Sequence, residues 1–157
     1  MLLTNATIYQ PNQPLKASLR IQDGKIDLIQ TKIQPLPGEQ VIDLKGQLVL
    51  PGAIDIHVHF RCPGGESKED WWHASRAALA GGVTTVCDMP NTAPPTTSLE
   101  LYRQKLALAG ADSLVNYGLY WGAGPDNRAE QKQLPLQIPI KCYAGPTTGS
   151  LLVDQPD

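Results

Sequence analysis

His57 and His59 stand two residues apart in the run DIHVHFR over residues 55–61. Alternate residues of a strand leave the same face, so two imidazoles at this spacing can reach one metal ion. Imidazole nitrogen suits zinc and its neighbours, and two ligands leave such an ion under-coordinated, so further donors must come from elsewhere. Arg61 follows at once, and its guanidinium presents a planar fork that matches a carboxylate. Asn91, in the run MPNT over 89–92, could close the other side of the same anion. Taken singly, each has a plainer reading: a pair of histidines decorating a strand end, a surface Arg, and an Asn in a turn. Lys141, between Ile140 and Cys142, reads by itself as a strand-end charge whose stem snorkels to solvent.

Other polar residues carry weaker signals. His73 follows Trp71 and Trp72 in a helical stretch at no useful spacing from the histidine pair, which makes it a surface or packing residue. Asp55 shares the face of His57 and could support it from behind or serve as a weak ligand, of which the first is preferred. Gly64 and Gly65 form a loop rather than a phosphate cradle, because no Lys-Ser pair at a helix start follows them.

These residues need a scaffold, and the sequence changes character near residue 50. Before it, short apolar runs at 2–9, 18–21, 25–29 and 41–44 are separated by turn chemistry, as in a set of small strands. Asp23-Gly24 between two such runs is a hairpin signal, since both residues accept positive φ cheaply. After residue 50 strands and helices alternate, which predicts parallel α/β structure. Strands are expected over 53–59, 83–89, 114–121 and 138–143. Helices are expected over 68–80, ended by Gly81-Gly82, over 99–109, capped by Ser98 and ended by Gly110, and in a short piece over 126–133.

With 157 residues, 41% apolar and 18% charged, the chain has ordinary globular composition. Net charge is −2, and the 13 Lys and Arg form no run, which argues against nucleic acid or an anionic membrane as partners. No stretch approaches the roughly 20 apolar residues of a membrane span, and the N-terminus lacks the order of a signal peptide. A cytoplasmic location is the expectation. Cys62, Cys87 and Cys142 are odd in number and far apart, as in a reducing compartment, and Cys87 reads as a small core residue.

Four stretches together carry a family resemblance: GQLVLPGAIDIHVHFR over 46–61, GGVTTVCDMPNT over 81–92, PPTT over 94–97 and IKCYAGPTTG over 140–149. In order and spacing they resemble the N-terminal part of the dihydroorotases, cyclic amidases of the amidohydrolase superfamily, and the resemblance covers essentially the whole chain. It implies a (β/α)8 barrel preceded by a small β-sandwich segment. Residues 1–50 would be N-terminal strands of the sandwich, and 51–157 the first three to four βα units of a barrel that this chain leaves incomplete. It implies that His57 and His59 bind zinc. It also implies that Lys141 is carboxylated and bridges two metal ions, so that one or two Zn2+ are bound. Arg61 and Asn91 would grip the substrate carboxylate, a feature that hydantoinases and allantoinases usually lack in one or both residues.

The implied activity is the reversible hydrolysis of dihydroorotate to N-carbamoyl-aspartate in pyrimidine (UMP) biosynthesis. The general acid/base Asp and two further His ligands are expected beyond residue 157, so the 157 residues alone would be inactive. A barrel needs about 250 residues, and a partial one exposes strand edges and apolar surface. The implied partners are the small-molecule substrate, a second copy of the chain, or aspartate carbamoyltransferase. Two other readings stay open: a non-catalytic scaffold that assembles with aspartate carbamoyltransferase, and an allantoinase- or hydantoinase-type cyclic amidase.

Overall fold

The structure, a computed structural model, describes residues 1–124, 126–146 and 151–153. Residues 147–149 of the fourth stretch therefore lie outside the described residues. The chain divides into two compact units, Met1–Pro51 and Gly52–Asp157.

The first unit is a five-stranded sheet made of β1 (Leu2–Ile8), β2 (Leu15–Gln22), β3 (Lys25–Gln30), β4 (Val41–Asp43) and β5 (Leu48–Val49). Its hairpin turns where the sequence predicts. Asp23 and Gly24 both take positive φ, 51° and 72°, and Gln22 pairs with Lys25 across the two-residue loop. β1 is central, antiparallel to β2 and parallel to β4 and β5. Leu2, Ala6, Ala17, Leu19 and Ile33 are buried. At one end Arg20 Nε and Nη2 donate to both Glu39 oxygens at 2.8 and 2.9 Å.

The second unit opens with β6 (Ala53–Val58), α1 (Trp71–Ala80), β7 (Val83–Asp88), α2 (Leu99–Asp112) and β8 (Asn116–Leu119). The three strands form a parallel sheet in the order β6-β7-β8, so each helix is the crossover of a βαβ unit. Beyond it, β9 (Trp121–Gly122) and β10 (Ile140–Lys141) pair in parallel, with the one-turn α3 (Arg128–Gln131) between them. Among the described residues no closed barrel forms.

Its core comprises Phe60, Trp71, Ala74, Val86, Ala109, Val115 and Leu119. Trp71 meets Phe60 edge-on at 4.9 Å between ring centroids and Tyr117 at 5.8 Å, contacts worth about 0.5–1.5 kcal/mol each beyond their buried area. Cys87 is only half-buried; the neighbouring Val86 takes the core position expected of it.

Several element boundaries differ from the sequence reading, and three of them have a local reason. α1 begins at Trp71 rather than Lys68, because the Asp70 carboxylate accepts the His73 amide and caps the helix there. α2 runs through Gly110 to Asp112. A Cβ at Gly110 would lie 2.9 Å from the Tyr117 hydroxyl, so this glycine serves helix–sheet approach and not termination. The strand expected over 114–121 breaks at Tyr120, where the chain changes partner: Tyr120 N donates to Asp88 O, while Trp121 N donates to Pro139 O.

Candidate active site

β6 stops at Val58 because β7 takes over its last hydrogen bonds in two different ways. Met89 N donates to Val58 O at 2.9 Å, and the next available amide, Phe60 N, donates at 2.7 Å to the side chain of Asp88, not to a backbone carbonyl. His57 thus sits on the last turn of pleat and His59 just past the strand end. Their rings lie side by side, 5.4 Å between centroids and tilted by 54°. His57 is exposed and His59 half-buried.

Asn91 reaches this pair from the loop after β7. His59 Nδ1 lies 2.9 Å from Asn91 Oδ1. An amide oxygen only accepts, so Nδ1 carries the proton and Nε2 keeps its lone pair free. Burial is the main influence on the His59 imidazole and pulls its pKa below the usual value; the Asn91 bond works against this and the Arg61 charge adds to it. A neutral ring with a free nitrogen is the form that ligates metal.

Arg61 follows in the left-handed region at φ 61°, an uncommon conformation for a residue with a Cβ. Its surroundings hold it there. A Cβ at Gly65 would lie 2.8 Å from Arg61 O, and one at Gly64 would lie 2.1 Å from Ala93 O, so the two glycines let the loop after β6 fold tightly against itself and against the loop that carries Asn91. Ala93 N donates to Pro63 O at 3.0 Å and joins the two loops directly. Four of the five residues singled out in the sequence, His57, His59, Arg61 and Asn91, therefore share one strand end and its neighbouring loop.

Lys141 stands apart from them in the pairing pattern. It lies on β10, half-buried, with its Nζ 5.1 Å from the Tyr143 ring centroid, and its strand pairs with β9 rather than with β6 or β7. Asp55 accepts the backbone amide of His57 at 3.0 Å, a contact with its main chain and not with its ring. His73 is a surface residue, as expected, with its ring bonded to the capping Asp70. Glu69, Asp70 and His73 bring ligand atoms within 4.8 Å of one another, a possible cation-binding group at the start of α1. An open cleft of about 290 Å³ beside β6 is lined by Asp55, His59 and Glu69 together with Val58, Ala74 and Val83.

The sequence reading missed Asp88 and Lys105. They are the most deeply buried charged residues described, 0% and 1% exposed, and Lys105 Nζ lies 2.6 Å from Asp88 Oδ2. Nζ also donates to Met89 O at 2.8 Å. Burial lowers the Lys105 pKa and the contact with Asp88 opposes this. The available signal was a charge spaced three and four residues from Tyr102 and Ala109, on one face of the helix.

The donor chemistry fits a zinc ion in its first two ligands: two imidazoles from one strand end, one of them kept neutral by burial and oriented by a polar partner. The sequence model of the Amidohydrolase family matches residues 48–138. Among curated proteins, a dihydroorotase of Methanosarcina mazei is 46% identical over 120 residues, covering 76% of this chain and 26% of the relative. An allantoinase of Streptomyces avermitilis is 35% identical over 136 residues, covering 85% and 31%. Among solved structures, an L-hydantoinase (dihydropyrimidinase) from Arthrobacter aurescens superposes with a TM-score of 0.78 at 30% identity, covering 84% of this chain and 30% of that one. The chain thus spans about a quarter to a third of the length of the proteins it matches.

Proposed function

The chain belongs to the amidohydrolase family, and on that premise we propose that the whole protein is a zinc-dependent dihydroorotase that opens dihydroorotate reversibly to N-carbamoyl-aspartate, in pyrimidine biosynthesis in the cytoplasm. Residues 1–50 are strands of the small sandwich and 51–157 the opening βα units of its barrel. His57 and His59 bind zinc, with Lys141, carboxylated, as a further ligand. Zinc held by these residues would supply Lewis-acid polarisation of the ring amide carbonyl and a lowered pKa for attacking water.

The observation that carries this reading is the joining of a metal-type and a carboxylate-type pair at one strand end. Asn91 bonds His59, Arg61 lies two residues further on, and dihydroorotate offers a ring carboxylate beside its cyclic amide. A guanidinium and an amide present donors to both oxygens of such a group. Hydantoin, which lacks a carboxylate, has no use for them. Curated relatives named dihydroorotase, at 42–50% identity, point the same way.

One set of observations favours a second reading, an allantoinase or hydantoinase: the allantoinase relative and the hydantoinase structures cover more of the chain, at lower identity. Steady-state turnover of dihydroorotate, allantoin and hydantoin by the whole purified protein separates the two. Dihydroorotate is the expected substrate; a protein that opens hydantoins and ignores dihydroorotate belongs to the second reading.

A further inference from the structure

We propose that Asp88 and Lys105 are a pair of positioning residues, each fixing one half of the proposed site: Asp88 holds the peptide between His59 and Arg61, and Lys105 holds the strand end that leads to Asn91. The inference rests on the reading of that site as zinc- and carboxylate-binding.

Two buried charges on different elements are costly to desolvate, and an apolar pair of similar volume would serve packing as well. What an apolar pair cannot do is make the three contacts seen here. Asp88 Oδ1 accepts Phe60 N at 2.7 Å, at the point where β6 has run out of backbone partners on β7. Its other oxygen meets Lys105 Nζ at 2.6 Å. That Nζ donates at 2.8 Å to the carbonyl of Met89, two residues before Asn91.

Phe60 is the residue between His59 and Arg61, and Arg61 occupies a left-handed conformation that an L-residue does not choose by itself. Fixing the Phe60 amide fixes the direction in which the chain leaves His59 and enters Arg61. Fixing the Met89 carbonyl does the same for the approach to Pro90 and Asn91. From beneath the strand ends, α2 thereby sets the spacing between the metal-type and carboxylate-type residues without touching either ligand. Site precision of this kind comes from residues whose own positions are locked by burial.

The two halves have separate readouts in the whole, zinc-loaded protein. The double variant D88N/K105M removes both charges but keeps an oxygen for Phe60 N; D88L/K105M removes that acceptor as well. Zinc affinity is measured by competition with a chelating dye, KM and kcat with dihydroorotate, and folding by near-UV circular dichroism and melting. D88N/K105M leaves the Asn91–His59 bond in place and should keep wild-type zinc affinity while its KM rises about fivefold, the equivalent of one hydrogen bond at Met89. D88L/K105M should in addition bind zinc about tenfold or more weakly, the usual effect of losing a supporting contact.

A folded D88L/K105M with wild-type zinc affinity and KM would overturn the proposal and leave the pair a packing feature. Should D88L/K105M not fold, D88N/K105M decides alone: raised KM with retained zinc supports the proposal, and an unchanged KM overturns it. A wild-type protein that neither holds zinc nor opens dihydroorotate is a different failure, that of the site reading itself, and this inference falls with it.

Discussion

His59 Nδ1 and Asn91 Oδ1 lie 2.9 Å apart, although 32 residues separate them in the chain. One side chain is thereby tied to both halves of the proposed chemistry: its oxygen fixes the tautomer of a metal-type histidine, and its amide nitrogen stays free for an anion. The two duties can be separated by substitution. Asn91→Asp keeps an acceptor for His59 and places a negative charge where the substrate carboxylate would bind. We expect zinc content to be retained and KM for dihydroorotate to rise at least about tenfold, from the loss of an amide donor and the added like charge. Asn91→Ala should lose zinc affinity as well, by about tenfold, because the ring is no longer oriented. Equal KM values for wild type and Asn91→Asp would remove Asn91 from substrate binding.

Arg61 carries the second half of the carboxylate grip. Arg61→Met keeps the length of the side chain and removes its charge. A charge-assisted hydrogen bond contributes about 1.5–3 kcal/mol, so kcat/KM for dihydroorotate should fall by that free energy while bound zinc stays at its wild-type level. The measurement is steady-state kinetics beside elemental analysis of the same sample. An unchanged kcat/KM means that another group holds the carboxylate.

Lys141 gives a prediction of a different kind, because its proposed form is chemically distinct. A lysine next to cations loses its proton and takes up CO2, and the carbamate offers hard oxygens in place of an ammonium. Protein exchanged into 13C-bicarbonate should show a carbamate resonance that disappears in Lys141→Ala, together with part of the bound zinc. Full zinc content in that variant would leave Lys141 as the half-buried strand residue, over the Tyr143 ring, that the present structure describes.

What the sequence displays well is whatever depends on local chemistry. Asp23 and Gly24 announce a hairpin because positive φ is a property of two residues, and Ser98 caps its helix through a bond to the amide three residues on. The histidine pair is visible because its spacing matches the strand period. Gly110 misleads for the opposite reason: its lack of a side chain answers to Tyr117, which is a tertiary neighbour, so a reading confined to the helix takes it for a stop. The Asp88–Lys105 pair is hidden in the same way. Nothing within either segment says that a lysine on α2 will meet the end of β7, and only the spacing of that charge from Tyr102 and Ala109 hints at it. The separate placement of Lys141, on a strand that pairs with β9, is likewise a matter of topology that its motif does not express.

Glu39 offers a test of stability away from the site. Its carboxylate accepts two bonds from Arg20 and the amide of Leu36, and these hold its pKa down at about 2, with the Arg20 contact the largest influence. A carboxyl group whose folded pKa is depressed favours the folded state at full strength above its unfolded value, near 4.5 for glutamate, where it is charged in both states. As pH falls below that value the unfolded chain takes up the proton first, and the contribution declines until the folded group is protonated too, near 2. Melting temperature should therefore fall between about pH 5 and pH 2 by more in the wild type than in Glu39→Gln, which has no proton to gain there. At pH 7 the variant should be the less stable of the two, since the Arg20 guanidinium, only 11% exposed, is left without its counter-ion. Scanning calorimetry of both proteins across that range checks the difference; parallel pH profiles would show that the Arg20–Glu39 contact contributes nothing to folding.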